Sequence, residues 1–293
     1  TGTDERYIDI TDFLASASDP SNIQIRFLFD GTGGTSHYFW SIDDVRFIEA
    51  FTNNMRMDSR EIATGGIGYA AHRIPIHQIS PVVFSSEIVN AGYAVRNNVQ
   101  LAVEVSSNGS PVGTVTSPGT TMNPADEDSL VTESWTPPSN VAEYDLLYTI
   151  TTDETEDYTD NISIEDAFFV TENEWGVDNS TLTGSFTNFS SQSGQPVKIG
   201  NLMESNANTF VYNVAIYISN SANNVGQLVG GEVRIFDANA GEFVYASETD
   251  FYAVTNNDLG SFVTLSLISP VELVAGEEFL LLAKHLGSGG NTD

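Results

Sequence analysis

Short runs in which apolar and polar residues alternate recur along almost the whole chain, separated by Gly, Asn, Asp, Ser and Pro. A side-chain repeat of two puts alternate residues on opposite faces of an extended strand, so this pattern restricts the chain to β-structure. In "VQLAVEV", Val99, Leu101, Val103 and Val105 share one face, and in "AEYDLLYTI" Tyr144, Leu146, Tyr148 and Ile150 do. No segment sustains a 3.6-residue repeat. The expected fold class is all-β, built as tandem β-sandwiches.

The character of the chain changes twice, dividing its 293 residues into three segments. In residues 1–50, "IQIRFLF" alternates over Ile23 to Phe29. A Gly-rich loop follows, then "YFWSIDDVRF", which reads as a second strand of a hairpin-like pair. "RYIDITDFL" upstream adds one short strand or turn. Fifty residues cannot bury a sufficient β core alone, so this segment reads as the tail end of a larger domain. Residues 51–174 begin irregularly: "NNMRMDSREIATGGIGYAAHRIPIHQIS" suits a linker or a strand-loop-strand cover. Strands then recur at roughly ten- to twenty-residue intervals ("PVVFSSEIVNAG", "VQLAVEVSSNGSPVGTVTS", "SLVTESWTPP", "AEYDLLYTITTDE", "NISIEDAFFV"), the spacing of an Ig-like sandwich. Residues 175–293 carry another set, including the hairpin "VRIFDANAGEFVYA" with its turn at Asp237, Asn239 and Gly241. The chain stops at "GSGGNTD" straight after an apolar strand, which reads as truncation within a domain.

With 40 Asp and Glu against 10 Lys and Arg, the formal net charge is −30. Such a surface repels phosphate backbones and anionic lipid, which argues against nucleic-acid binding and electrostatic membrane docking. It favours divalent cations, calcium first, because hard cations seek carboxylate oxygens; acidity that serves solubility alone is the alternative. Cysteine is absent, which removes disulfides and thiolate chemistry. No apolar run reaches the roughly 18 to 20 residues of a membrane span. The start "TGTDERYIDI" has neither an initiator Met nor a signal-peptide pattern, so the chain reads as processed or as a fragment.

"FWSIDDVRF" preceded by "IQIRFLF" resembles the last two strands of MAM-like jelly-roll modules. "FSSEIVNAGYAVRNNVQLAVEV" with "SWTPPSNVAEYDLLYTITTDETEDYTDN" resembles the Ig-like modules that follow such jelly rolls in large secreted surface proteins of Bacteroidetes-type bacteria. "WGVDN", "VKIGNLME" and the stretch through "SFVTLSL" are similar to a second jelly-roll-like module. The resemblance implies a multidomain extracellular cell-surface protein of the type IX secretion class, either an adhesin or the non-catalytic part of a secreted enzyme. Its partners would be an extracellular surface, a glycan or protein ligand, and neighbouring modules of the same chain.

Candidate chemistry is confined to oxygen ligands. "TTDETEDYTDN" is the densest acidic run, and Asp153, Asp157 and Asp160 within it could serve calcium; a solvated loop is the other reading, and no EF-hand spacing is present. Asp43 and Asp44 point to opposite faces of their strand, so they cannot act as a carboxylate pair. Asp43 shares a face with Val45 and Phe47 and needs a partner if buried, which makes Asp30 with Asp43 a second candidate calcium pair. The four histidines (His37, His72, His77, His285) form no ligand or catalytic motif, and His72 and His77 read as ordinary surface residues. Trp40, Trp135 and Trp175 could stack on sugars but sit beside apolar neighbours, which favours core roles. The residues lead to no catalytic site. They lead to a non-enzymatic fragment of an adhesin-like protein, with ancillary domains of a secreted peptidase or polysaccharide-degrading enzyme, or a carbohydrate-binding module, as alternatives.

Overall fold

The computed structural model describes residues 10–16, 18–19, 24–28, 51–64, 69–178 and 197–286. Asp30, Asp43, Trp40, His37 and the run "YFWSIDDVRF" lie outside the described residues. Within the first segment the structure departs from the expected strands. Thr11–Ser16 is a six-residue α-helix (α1), opened by the Leu14 amide donating to the Ile10 carbonyl at 2.9 Å. Over so few residues, alternation does not distinguish a strand from a helical turn. Residues 24–28 lie in no strand, and Ile25, Phe27 and Leu28 are exposed. An alternating run becomes a strand only when a neighbouring edge takes its backbone hydrogen bonds.

Among the described residues the first sandwich has eleven strands in two sheets. They are β1 Met55–Met57, β2 Glu61–Thr64, β3 Tyr69–Ala70, β4 Arg73–Pro75, β5 Val82–Asn90, β6 Arg96–Ser107, β7 Ser110–Thr116, β8 Thr120–Met122, β9 Glu127–Val131, β10 Ala142–Thr151 and β11 Ser163–Thr171. In one sheet β2 and β1 pair with successive halves of one edge of β5, and β9 lies along the other. The second sheet runs β4-β11-β10-β6-β7, with β8 also on β6. All pairings are antiparallel except β4 with β11. The stretch read as a linker or cover thus supplies β1 to β4, shared between both sheets. Strands of two to four residues are too short to display an alternating pattern.

The faces expected from the alternation do form the core. Val99, Leu101, Val103 and Val105 of β6 meet Tyr144, Leu146, Tyr148 and Ile150 of β10 in one buried cluster. Trp135 closes it, 5.4 Å from the Tyr144 ring and 6.4 Å from Phe168. Paired 2.8 Å backbone bonds to Val82 pin the Trp135 main chain. The sequence reading of Trp135 as a core residue therefore stands.

The second sandwich comprises β12 Val197–Glu204, β13 Thr209–Ile218, β14 Leu228–Asp237, β15 Glu242–Glu248, β16 Tyr252–Ala253, β17 Ser261–Leu273 and β18 Glu278–His285. A five-stranded sheet (β12-β18-β14-β15, with β16 on β14) is accompanied by the β13–β17 pair. Val214, Val233, Leu273 and Phe279 form its core, and Trp175 packs edge-on against Phe279 at 5.5 Å. The two layers approach closely at Gly231, where a Cβ atom would stand 2.6 Å from that of Val214. At the β14–β15 hairpin, Asp237 Oδ1 accepts from the Asn239 amide at 2.8 Å, and Gly241 takes the positive φ (68°) that closes the turn.

Candidate functional site

Three features of the described chain bear on function: the acidic loop after β10, the contact between the sandwiches, and the outer face of β13–β17. The acidic loop folds around a buried arginine. Arg96, at the start of β6, has 0 % exposure. Its Nη2 donates to Thr152 Oγ1 at 2.6 Å, to the Glu154 carbonyl at 3.1 Å and to the Glu156 carboxylate. Glu156 Oε2 in turn accepts from the Met55 amide at 2.8 Å. Asp157 accepts from the Asn53 amide at 2.9 Å, and Asp153 from Asn98 Nδ2 at 3.1 Å. Glu154 accepts from the Asn97 side chain and backbone, and these bonds hold its carboxyl below the usual carboxylate range.

Two of the three candidate ligands in this run, Asp153 and Asp157, are thus occupied by N–H donors from strand ends. Asp160 is exposed at the following turn. Among the described residues no group of three or more His, Asp or Glu side chains is spaced to hold a metal ion. Arg96 was missed in the sequence reading. The signal available for it was a basic residue bracketed by strand-forming runs in a chain with only 10 of them.

His77 is exposed, as expected, but His72 is half-buried and is not an ordinary surface residue. His72 Nδ1 contacts the Val177 carbonyl at 2.9 Å, and its Nε2 lies 3.1 Å from Asp166, which also meets Arg60 Nε at 3.2 Å. Nearby, Tyr148 donates to the Glu61 carbonyl at 3.2 Å; burial, and then the Asp166 carboxylate, push its phenol strongly upward in pKa. His77 Nε2 reaches across to Thr209 Oγ1 of the second sandwich at 3.0 Å.

The contact between the sandwiches centres on Gln78, in the 3-10 turn Ile76–Gln78 after β4, and it is fully buried. Its Nε2 donates to the Ala207 carbonyl at 2.8 Å. Its Oε1 accepts from the amides of Asn206 at 2.8 Å and Ala207 at 3.0 Å, and its carbonyl accepts from Asn206 Nδ2 at 3.2 Å. One amide side chain so satisfies the β12–β13 turn of its neighbour, as buried polar groups require. Alongside, the Arg73 amide donates to the Gly176 carbonyl at 2.9 Å, and the adjacent Trp175 packs against the second core.

A buried ion cluster stabilises the second sandwich. Glu232 of β14 accepts from Lys198 Nζ and Arg234 Nε, each at 2.6 Å, while Lys284 pairs with Glu248 and lies 5.0 Å above the Phe251 ring. Burial raises the Glu232 pKa, but the two cationic donors outweigh it, and the net shift is downward. A carboxyl depressed in the folded state contributes stability above its unfolded pKa and loses it as pH falls through the folded value. Stability of the second sandwich is therefore expected to fall on acidification below the ordinary Glu range. Glu232→Gln should flatten that fall in pH-dependent urea titrations.

On the outer face of β13–β17 the rings of Phe210 and Tyr212 lie 6.0 Å apart, and those of Tyr217 and Phe262 5.3 Å apart. Tyr212 is 57 % and Phe262 52 % exposed. Between the two pairs, Ser266 donates to Asn213 Oδ1 at 2.9 Å. The sequence reading looked to tryptophan for such a surface, yet Trp135 and Trp175 are in cores. "TFVYNVAIY", apolar on both alternating faces, was the overlooked signal.

No family model matches the chain, and no curated protein matches it. Among solved structures it is similar to the C-terminal domain of wzt, at 12 % identity and TM-score 0.30, over 47 % of this chain and 85 % of that one. It is also similar to a bacterial adhesin from Mobiluncus mulieris containing intramolecular disulfide, isopeptide and ester bond cross-links. That likeness has 9 % identity and TM-score 0.23, over 76 % of this chain and 91 % of the other. At these scores neither likeness bears on what the chain does. No helix among the described residues is long and apolar enough to cross a membrane.

Proposed function

We propose that the chain is a non-catalytic, extracellular part of an adhesin-like cell-surface protein of the type IX-secreted kind it resembles. In this reading 51–174 and 175–293 are two β-sandwiches that act as a stiff spacer and present a lateral binding surface. The observation that carries the reading is the junction: a fully buried Gln78 makes four hydrogen bonds to the neighbouring sandwich. Hinged modules ordinarily leave such polar groups to water, whereas a load-bearing pair benefits from sealing them.

Gln78→Ala is expected to leave each sandwich folded but to loosen the pair, because it strands the Asn206 and Ala207 amides of the β12–β13 turn, while the Ala207 carbonyl keeps Ser205 Oγ. Small-angle scattering should then show a broadened distribution of intramolecular distances, and an unchanged profile would refute the stiff-spacer role. For adhesion, beads coated with the chain should be retained on bacterial or host cell surfaces above bare beads. Absence of retention, or hydrolysis of casein or polysaccharide by the purified chain, would overturn the reading. Calcium belongs to the proposal as a partner of the acidic residues. A melting temperature lowered by EDTA would support it, and an unchanged one would remove it and leave Arg96 as the cation that organises the 152–161 loop.

A further inference from the structure

We propose that the outer face of β13–β17 is a binding platform for a neutral oligosaccharide. This rests on the adhesive reading and names its ligand class. β13 and β17 pair antiparallel with Tyr217 opposite Phe262, Ala215 opposite Thr264 and Asn213 opposite Ser266, so these six side chains project from one face of the ribbon. The register slips between Val211 and Asn213, and at that irregularity Tyr212 also turns outward beside Phe210.

The result is two aromatic pairs at the ends of a strip floored by small hydroxyl and amide groups. Tyr212 and Tyr217 are five residues apart, about 17 Å at the rise of a β-strand. That is the reach of a short linear oligosaccharide lying along the ribbon.

The chemistry of the strip selects this occupant. Aromatic faces pack against the C–H faces of pyranose rings, while Asn213, Ser266 and Thr264 offer donors and acceptors to sugar hydroxyls. The strip holds no Lys or Arg, and the chain carries a net charge of −30, so an anionic glycan is disfavoured. Its charged neighbour is Glu272, opposite Phe210 at the rim. A protein partner would be expected to leave a continuous apolar core at its contact, whereas here polar groups interrupt the aromatics midway.

The test is isothermal titration calorimetry of the full chain with short neutral oligosaccharides of the glucan, mannan, xylan and galactan series. Millimolar or tighter binding to at least one series is expected. Tyr212→Ala and Phe262→Ala should each weaken it about tenfold, while Val112→Ala, exposed on β7 of the other sandwich, leaves it unchanged. Both aromatic positions face solvent, so unchanged melting temperatures will verify that the variants fold. Binding that survives both substitutions, or is confined to anionic glycans, overturns the proposal. So does self-association of the chain that the same substitutions abolish, which would make the strip an interface between copies. Bead adhesion without glycan binding overturns the platform and leaves the adhesive reading standing; loss of both overturns both.

Discussion

Replacing Arg96 with alanine is expected to lower the unfolding free energy of the first sandwich by about 3–5 kcal/mol, the cost of removing one partner from a buried ion pair. The guanidinium is wholly enclosed and joins the start of β6 to Thr152, Glu154 and Glu156, while Glu156 also holds the amide of Met55. Without it a largely buried Glu156 carboxylate loses its counter-ion, and one clasp over β1, β6 and the acidic loop opens. The urea midpoint of the transition reporting on Trp135 is the measurement. Glu156→Gln, which keeps an acceptor for Arg96, should cost less than Arg96→Ala. A loss under about 1 kcal/mol for Arg96→Ala would place the pair among exposed ion pairs of little worth and refute the clasp.

Phe84→Ala is expected to cost a similar amount, about 3–5 kcal/mol, by a different mechanism: lost burial plus a cavity that rigid neighbours cannot fill. Phe84, the third residue of β5, has no exposure and lies 6.2 Å from Trp135 and 6.0 Å edge-on to Tyr148. Phe84 and Tyr148 belong to opposite sheets, so relaxation on one side opens space on the other. The near-UV circular dichroism of Trp135 should weaken in parallel. A stable variant with an unaltered aromatic signal would mean that Phe84 does not join the two layers.

The contrast between these residues explains what could be read from the chain before its structure. Strands β6 and β10 were legible because each is long enough for its repeat to declare a buried face. Phe84, in "PVVFSSEIVNAG", belongs to the same class. Strands β1 to β4 were not, since two to four residues carry no period and owe their conformation to the edges they meet. The acidic run at 152–161 was legible as a cluster of oxygen donors, but composition does not say whether N–H groups or an ion will face them. The structure supplies Asn53, Arg96, Asn97 and Asn98, residues about 55 to 105 positions away that only the fold brings near. The Phe and Tyr pairs on β13–β17 were overlooked because apolar residues on both faces of a strand ordinarily signal burial on both.

The parallel pairing of β4 with β11 sets an order on how the chain can mature. Arg73 is matched with Phe169 and Pro75 with Thr171, so the edge that β4 occupies does not exist until the last strand of that sandwich has been delivered. Gln78 follows β4 by three residues and engages a turn that lies farther along still. A chain emerging from a ribosome or an export channel amino end first must therefore carry this stretch unpaired until nearly a hundred further residues have passed. The seal between the sandwiches is consequently among the last contacts to form, and its completion reports that both have arrived.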